Sequence, residues 1–243
     1  MLKIQELSKK FGGVHAVEKF SFEIKPNHIT GLIGPNGAGK TTAFNLITNF
    51  LPRDKGEVFY KEELIKKSSA YKLVKKGIAR TFQQIRIFPE LTVKENLLLA
   101  MSHDYDNWWN SFGNIDENLE EERIMELLKE VNLEKYLEEK AGNLSYGQSK
   151  LLEILRVVAT NADLILLDEP AAGVNPTMLR IVEKLILGLK EKGKTLLVIE
   201  HNMPFLMGIS DEIIVMESGK FLCQDLPEKV QKDPKVLEAY LGG

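Results

Sequence analysis

The stretch Gly34-Pro35-Asn36-Gly37-Ala38-Gly39-Lys40-Thr41-Thr42 has the pattern of a phosphate-gripping loop, with two glycines separated by four residues and followed directly by Lys and Thr. Apolar residues from His28 to Ile33 lead in with strand character, and Thr42 to Ile47 lead out with helix character. Strand, glycine loop and helix is the order such a loop requires. Glycines let backbone N–H groups turn inward around phosphate oxygens, and the following helix adds the positive end of its dipole. In that frame Lys40 reaches the β- and γ-phosphates of a nucleoside triphosphate. Thr41 offers its hydroxyl to Mg2+, and Thr42 donates to the α-phosphate.

The rest of the composition is that of an ordinary globular chain. Of its 243 residues 44% are hydrophobic, enough for a substantial core. The 32 basic and 35 acidic residues are well mixed and leave a formal charge of −3, so no sequence-wide footprint for nucleic acid or an anionic membrane is present. No nucleic-acid partner is expected. Cys223 is the single cysteine, which excludes an intramolecular disulfide. Neither a signal-peptide pattern nor an apolar stretch long enough to span a bilayer is found. A cytosolic chain is expected, and any part in membrane transport then needs a separate membrane-spanning partner.

Element patterns divide the chain into zones. Short strands are predicted over 2–7, 16–24, 29–33 and 57–60. From about Thr92 to Asn132 the pattern turns helical, with apolar faces at Leu97, Leu98 and Leu99 and at Ile124, Leu127, Leu128 and Val131. Polar Asp104–Asn118, which includes Trp108 and Trp109, reads as an irregular connection. Strands at 164–167, 195–199 and 212–217 then alternate with helices at 151–159 and 179–189. Parallel α/β organisation follows.

A second chemical signal is Leu164-Ile165-Leu166-Leu167-Asp168-Glu169-Pro170, an apolar strand that ends in two carboxylates, where a buried sheet delivers charge to a crevice. Asp168 is placed in the Mg2+ shell, and Glu169 faces the γ-phosphate as general base for the attacking water. A weaker signal is Leu144-Ser145-Tyr146-Gly147-Gln148, just ahead of an apolar helical run. Here Ser145 suits a helix cap and Gly147 suits close approach of a phosphate to the backbone.

Taken in order, these motifs resemble the nucleotide-binding subunit of ATP-binding-cassette (ABC) transporters over nearly the whole chain. Walker A matches Gly34–Thr42, the glutamine loop Thr81-Phe82-Gln83, the signature Leu144–Gln148, Walker B Leu164–Asp168 with Glu169, and the switch histidine His201. The resemblance implies an α/β P-loop NTPase fold with a RecA-like core, an antiparallel β subdomain and an inserted α-helical subdomain. It treats 1–243 as one nucleotide-binding domain. Residues 1–91 hold the β subdomain and the first part of the core, 92–160 the helical subdomain and signature, and 161–243 the rest of the core with C-terminal helices. It implies ATP and Mg2+ as cofactors, with Gln83 as a further Mg2+ and water ligand and His201 as a γ-phosphate contact. Phe11 falls where the family stacks an aromatic on adenine. Loop Ala172-Gly173-Val174-Asn175 matches the family's dimer-contact loop, with Asn175 where Asp is common. Two subunits are expected to pack head to tail, so that Ser145, Gly147 and Gln148 of one complete the site formed by Lys40, Asp168 and Glu169 of the other.

Finer features narrow the resemblance. Ala79-Arg80-Thr81-Phe82-Gln83, Phe88–Asn96, the tyrosine in the signature and Ala171-Ala172-Gly173-Val174-Asn175-Pro176 look like the branched-chain amino acid importer ATPases. The related urea and short-chain amide systems share much of this pattern. Ser149-Lys150 and Leu155 depart from it at helix-face positions. The group implies two membrane permease subunits, a second ATP-binding subunit (identical or different), an extracytoplasmic solute-binding protein acting indirectly, and a peripheral position on the cytoplasmic face. A lipid or polysaccharide exporter ATPase, or a soluble cassette protein of repair or translation, are the competing readings. A guanine-nucleotide switch lacks support because no Asn-Lys-x-Asp motif occurs.

Overall fold

The computed structural model describes residues 1–66, 68–102 and 117–241. In chain order the elements are β1 (Leu2–Phe11), β2 (Val14–Ile24), β3 (Ile29–Ile33), α1 (Lys40–Ile47), β4 (Lys55–Tyr60), β5 (Glu63–Leu64), α2 (Ala70–Lys75), β6 (Ile78–Arg80) and α3 (Val93–Met101). There follow α4 (Glu117–Glu130), α5 (Tyr146–Ala159), β7 (Leu164–Asp168), α6 (Pro176–Glu191), β8 (Thr195–Ile199), α7 (Met203–Ile209), β9 (Glu212–Glu217), β10 (Lys220–Asp225), α8 (Pro227–Val230) and α9 (Pro234–Leu241).

Two sheets organise these elements. One is a four-stranded antiparallel sheet in the order β2-β1-β4-β5, and the other a six-stranded sheet in the order β10-β9-β3-β8-β7-β6. Within the second, β9, β3, β8, β7 and β6 run parallel and β10 pairs antiparallel at the edge. Strands β3, β7 and β8 are buried along their whole length, which explains why they read as largely apolar runs, with Thr30, Asp168 and Thr195 as their buried polar residues.

Strand parity sorts the core into two layers. Ile165 and Leu167 of β7, Leu196 and Val198 of β8, and Ile213 and Val215 of β9 pack with the helices α3 to α7. Leu164 and Leu166, Leu197 and Ile199, and Ile214 and Met216 point the other way, onto Ala43, Phe44, Leu46 and Ile47 of α1 and the apolar face of the antiparallel sheet. Helix α1, and with it the glycine loop, is thus clamped between the two sheets. Each fully buried Leu or Ile contributes about 1.5–3 kcal/mol to this arrangement. No helix among the described residues is long and apolar enough to cross a membrane.

Several expected boundaries move. Strand β1 runs four residues past the expected end at Leu7, because bulges at Glu6 and Lys19, both at positive φ, let it stay paired with β2 through register shifts. Helix α6 starts at Pro176, before the expected 179, capped by Asn175 with proline in the first turn. Strands β5, β6 and β10 were not expected. The connection 104–118, with Trp108 and Trp109, lies outside the described residues except for its last two, which open α4.

Candidate nucleotide-binding site

The glycine loop follows β3 and opens α1, as the motif requires. Its glycines are needed for different reasons. A Cβ on Gly34 would lie 2.0 Å from the Met216 carbonyl oxygen and one on Gly39 2.2 Å from that of Ala16, so both positions admit the close backbone approach only without a side chain. Gly37 has open space around it but sits at φ +81, where only glycine is unstrained. Gly39 caps α1 in the left-handed region and supplies no side-chain hydrogen bond. The first-turn N–H groups of α1, around Thr41 and Thr42, are therefore left for an anion. Exposed Asn36 and half-buried Pro35 form the rim, and buried Ala38 anchors the loop.

Lys40 is buried, and its ammonium donates to the carbonyls of Gly34 at 2.7 Å and Pro35 at 3.0 Å. Burial pulls its pKa below the usual lysine value, while the carboxylates of Glu169 and Asp168 oppose the shift. That electrostatic coupling joins the loop to the end of β7. The Asp168 carboxyl has no solvent exposure and neither oxygen accepts a hydrogen bond; the Arg80 guanidinium lies 3.5 Å from Oδ2 as an ion-pair partner. Burial raises the Asp168 pKa above the ordinary value, against the pull of Arg80. A buried carboxylate with unfilled lone pairs beside a glycine loop suits a hard divalent cation, and with the Thr41 hydroxyl and phosphate oxygens it makes the sparse protein ligand set typical of Mg2+.

Glu169 leaves the strand at φ +50, a left-handed conformation unusual for a residue with a side chain. Its N–H donates to the Ile199 carbonyl at 2.9 Å, and Oε1 lies 2.9 Å from Nε2 of His201, which follows β8. The backbone reversal therefore parts the two adjacent acids, Asp168 inward and Glu169 toward the exposed histidine. Strain of this kind gathers at functional positions.

Gln83 is exposed just beyond β6, on a segment pinned at its start by Thr81, whose hydroxyl accepts the Asp168 N–H at 2.9 Å. Phe11 ends β1, 47% exposed, with its face open apart from the Lys9 ammonium 5.6 Å from the ring centre. Ser145, Gly147 and Gln148 open α5 through a capping box, in which Ser145 accepts from the Gln148 N–H and the Gln148 side chain accepts from the Ser145 N–H. These signature residues adjoin the loop after Walker B, with Tyr146 against Gly173 and Gly147 beside Met178. Among the described residues nothing demands glycine at 147, since a Cβ there would meet Met178 at 3.5 Å, an ordinary contact, on helical backbone.

Four functional candidates escaped the sequence reading. Arg80 donates to Asn45, Thr48 and the Thr81 carbonyl and stacks under Phe82, so one guanidinium joins α1, the glutamine loop and Asp168. Buried Glu153 of α5 accepts from the Phe82 and Arg86 N–H groups at 3.5 and 3.3 Å and pairs with buried Lys150. Burial raises the Glu153 pKa. Glu200 accepts three backbone N–H groups. Tyr240 of α9 lies close to the Gly34 backbone, and burial pushes its pKa up to about 12. Glu200 had a readable signal, because it ends the apolar run 195–199 just as Asp168 ends 164–167. Arg80, Glu153 and Tyr240 depend on partners remote in sequence.

A parallel sheet flanked by helices, with a glycine loop between strand and helix and a carboxylate-ended neighbouring strand, defines a P-loop nucleotide hydrolase. The family model described as "ABC transporter" matches residues 17–172, and one described as "Branched-chain amino acid ATP-binding cassette transporter" matches 222–243. The chain belongs to the ABC transporter family, as an ATP-hydrolysing nucleotide-binding subunit. It is 38% identical over 249 residues to the high-affinity branched-chain amino acid transport ATP-binding protein BraF of Pseudomonas aeruginosa, covering 100% of this chain and 98% of the relative. Among solved structures it is similar to a nucleotide-free ATP-binding cassette from an ABC transporter, with TM-score 0.87, 34% identity and coverage of 100% and 99%. A bacterial ABC transporter cassette solved as a dimer gives TM-score 0.82 at 25% identity, with coverage of 93% and 99%.

Proposed function

We propose that this chain is the ATP-binding subunit of an importer for branched-chain amino acids, seated on the cytoplasmic face of the membrane. It binds integral permease subunits, pairs with a second ATP-binding subunit, and serves a solute-binding protein that it never touches. The observation that carries this reading is the full-length likeness to BraF, joined to the branched-chain amino acid model over the C-terminal segment.

The chemistry follows from the chain's own groups. Lys40 exchanges its two carbonyl partners for phosphate oxygens, and the uncapped start of α1 receives the remaining anionic charge. Mg2+, when bound, neutralises charge on the β- and γ-phosphates and draws on Asp168, Thr41 and Gln83. Glu169 takes the proton of the attacking water, and His201, within hydrogen-bond reach of Glu169, contacts the γ-phosphate. Phe11 stacks on the adenine. The second subunit presents Ser145, Gly147 and Gln148 from its α5 N-terminus to that phosphate. Glycine at 147, which nothing among the described residues requires, supports this reading. Loss of the γ-phosphate removes the contact that holds the pair shut, so ATP closes and hydrolysis opens.

The test is purification of tagged protein from gently solubilised cells of its source, followed by reconstitution of what remains bound into vesicles. Multi-spanning subunits, a second ATPase, and ATP-driven uptake of labelled leucine or valine are expected. Uptake of urea or a short amide in place of leucine overturns the cargo assignment. Recovery of ribosomal or DNA-associated proteins alone overturns transport.

A further inference from the structure

We propose that Glu200 is a positioning residue that holds the switch histidine and the dimer-contact loop as a single unit beside the reacting phosphate. The proposal rests on the reading of His201 and loop Ala172–Asn175 given above, and goes beyond it by assigning what couples them.

Glu200 directly follows β8 and is only 3% exposed, a placement that is costly for a carboxylate unless its lone pairs are filled. Here they are filled by backbone. Oε1 accepts the Ala171 N–H at 2.6 Å, while Oε2 accepts the His201 N–H at 3.0 Å and the Asn202 N–H at 3.3 Å. The two oxygens thus face two different loops. Ala171 begins the turn that leads into 172–175, and His201 and Asn202 form the turn between β8 and α7.

The consequence is geometric. Asn202 is itself fixed as the cap of α7, accepting the Phe205 N–H at 3.2 Å, so the backbone on both sides of His201 is anchored while its side chain stays exposed and meets Glu169. A shift of His201 toward or away from a γ-phosphate pulls on Glu200, and through Oε1 on Ala171. The neighbouring Ala172 N–H also donates to the Glu169 carbonyl at 3.2 Å, which returns the linkage to the base. One carboxylate therefore ties together the phosphate contact, the base and the segment that faces the partner subunit. Glutamine in its place keeps one acceptor oxygen but turns an NH2 against a backbone donor.

A double-mutant cycle in the assembled ATPase separates this from a merely structural role. Glu200→Gln is expected to lower kcat about tenfold or more, as small misplacements of catalytic groups do, with affinity of the monomer for a fluorescent ATP analogue within about twofold of wild type. In the His201→Ala background the same change should cost a clearly smaller fold of the residual rate, because the path through the histidine is cut and only the one through Ala171 remains. Equal fold losses in both backgrounds, or a wild-type kcat for Glu200→Gln, overturn the proposal. A wild-type rate for His201→Ala overturns the site reading as well, so the two failures are distinguishable. Glu200→Asp keeps the charge at its own turn but falls a methylene short of Ala171, and it enters the same cycle with the same outcomes should the glutamine variant not fold.

Discussion

Asp168→Asn should stabilise the nucleotide-free protein while disabling it. The carboxylate has no exposure and neither oxygen receives a hydrogen bond. Arg80 at 3.5 Å offsets part of the burial, but that guanidinium keeps Asn45, Thr48 and Thr81 as partners and is not orphaned by the change. An unmet buried polar group costs about 1–3 kcal/mol, and more when charged. Asparagine retains part of that cost through its amide, so a net gain of about 1–2 kcal/mol is expected. In a chain of this size that corresponds to a rise in Tm of about 2–8 °C. Burial raises the folded pKa of Asp168, so the native state holds this proton more tightly than the unfolded chain does. The wild-type penalty is absent below the ordinary Asp range and grows as pH rises through the raised folded value. The Tm gap should therefore narrow on acidification. Adding Mg2+ and ATP should reverse the order, since wild type gains about 2.7 kcal/mol at a hundredfold excess over Kd and the variant gains less. Scanning calorimetry in chelator at neutral pH reads the effect. A variant that melts at or below wild type there would show instead that the Asp168–Arg80 pair is net stabilising.

Gly147→Ala should leave Tm unchanged or raise it by up to about 1 kcal/mol in stability, as Gly to Ala does at a helical site with room, yet reduce ATPase activity measured by phosphate release. Activity equal to wild type would show that nothing crosses an interface to meet this position. Lys40→Ala should abolish tight ATP binding by titration calorimetry, because the ammonium bonded to Gly34 and Pro35 is the loop's only side-chain cation; retained affinity contradicts the loop assignment. Phe11→Ala should weaken binding by about 1–3 kcal/mol, the worth of one base–aromatic stack, and shift KM rather than kcat. A pure kcat loss would remove Phe11 from the adenine contact.

How much of this could be read from the chain depends on where each group's partners lie. The glycine loop, β7 with its two acids and β8 with His201 are local patterns, because a fully buried parallel strand must be apolar and its charged terminus stands out. The β9–β10 hairpin is also written locally, as Ser218-Gly219 at positive φ between the strands, but the half-buried edge strand β10 has no unbroken apolar run to mark it. Asn175-Pro176 is a helix-start signal that sits inside the dimer-contact loop pattern and is masked by it. Strand β6 has just three residues, too few to show a period. Arg80 and Glu153 were beyond reach, since Arg80 meets residues 32 and 35 positions away and Glu153 accepts from 67 and 71 away, pairings that only the tertiary fold creates.

In the proposed mechanism hydrolysis occurs between two cassettes, with Glu169 of one as base and the signature of the other closing the site. Glu169→Gln protein should bind ATP, lose about a hundredfold or more of its turnover, and form a stable pair seen by light scattering at twice the monomer mass when Mg2+ and ATP are present. ADP should not support that pair, and Ser145→Arg in the same background should abolish it while monomer binding of ATP remains. A Glu169→Gln protein that saturates with ATP yet stays monomeric, or that hydrolyses ATP at the wild-type rate, would contradict the account.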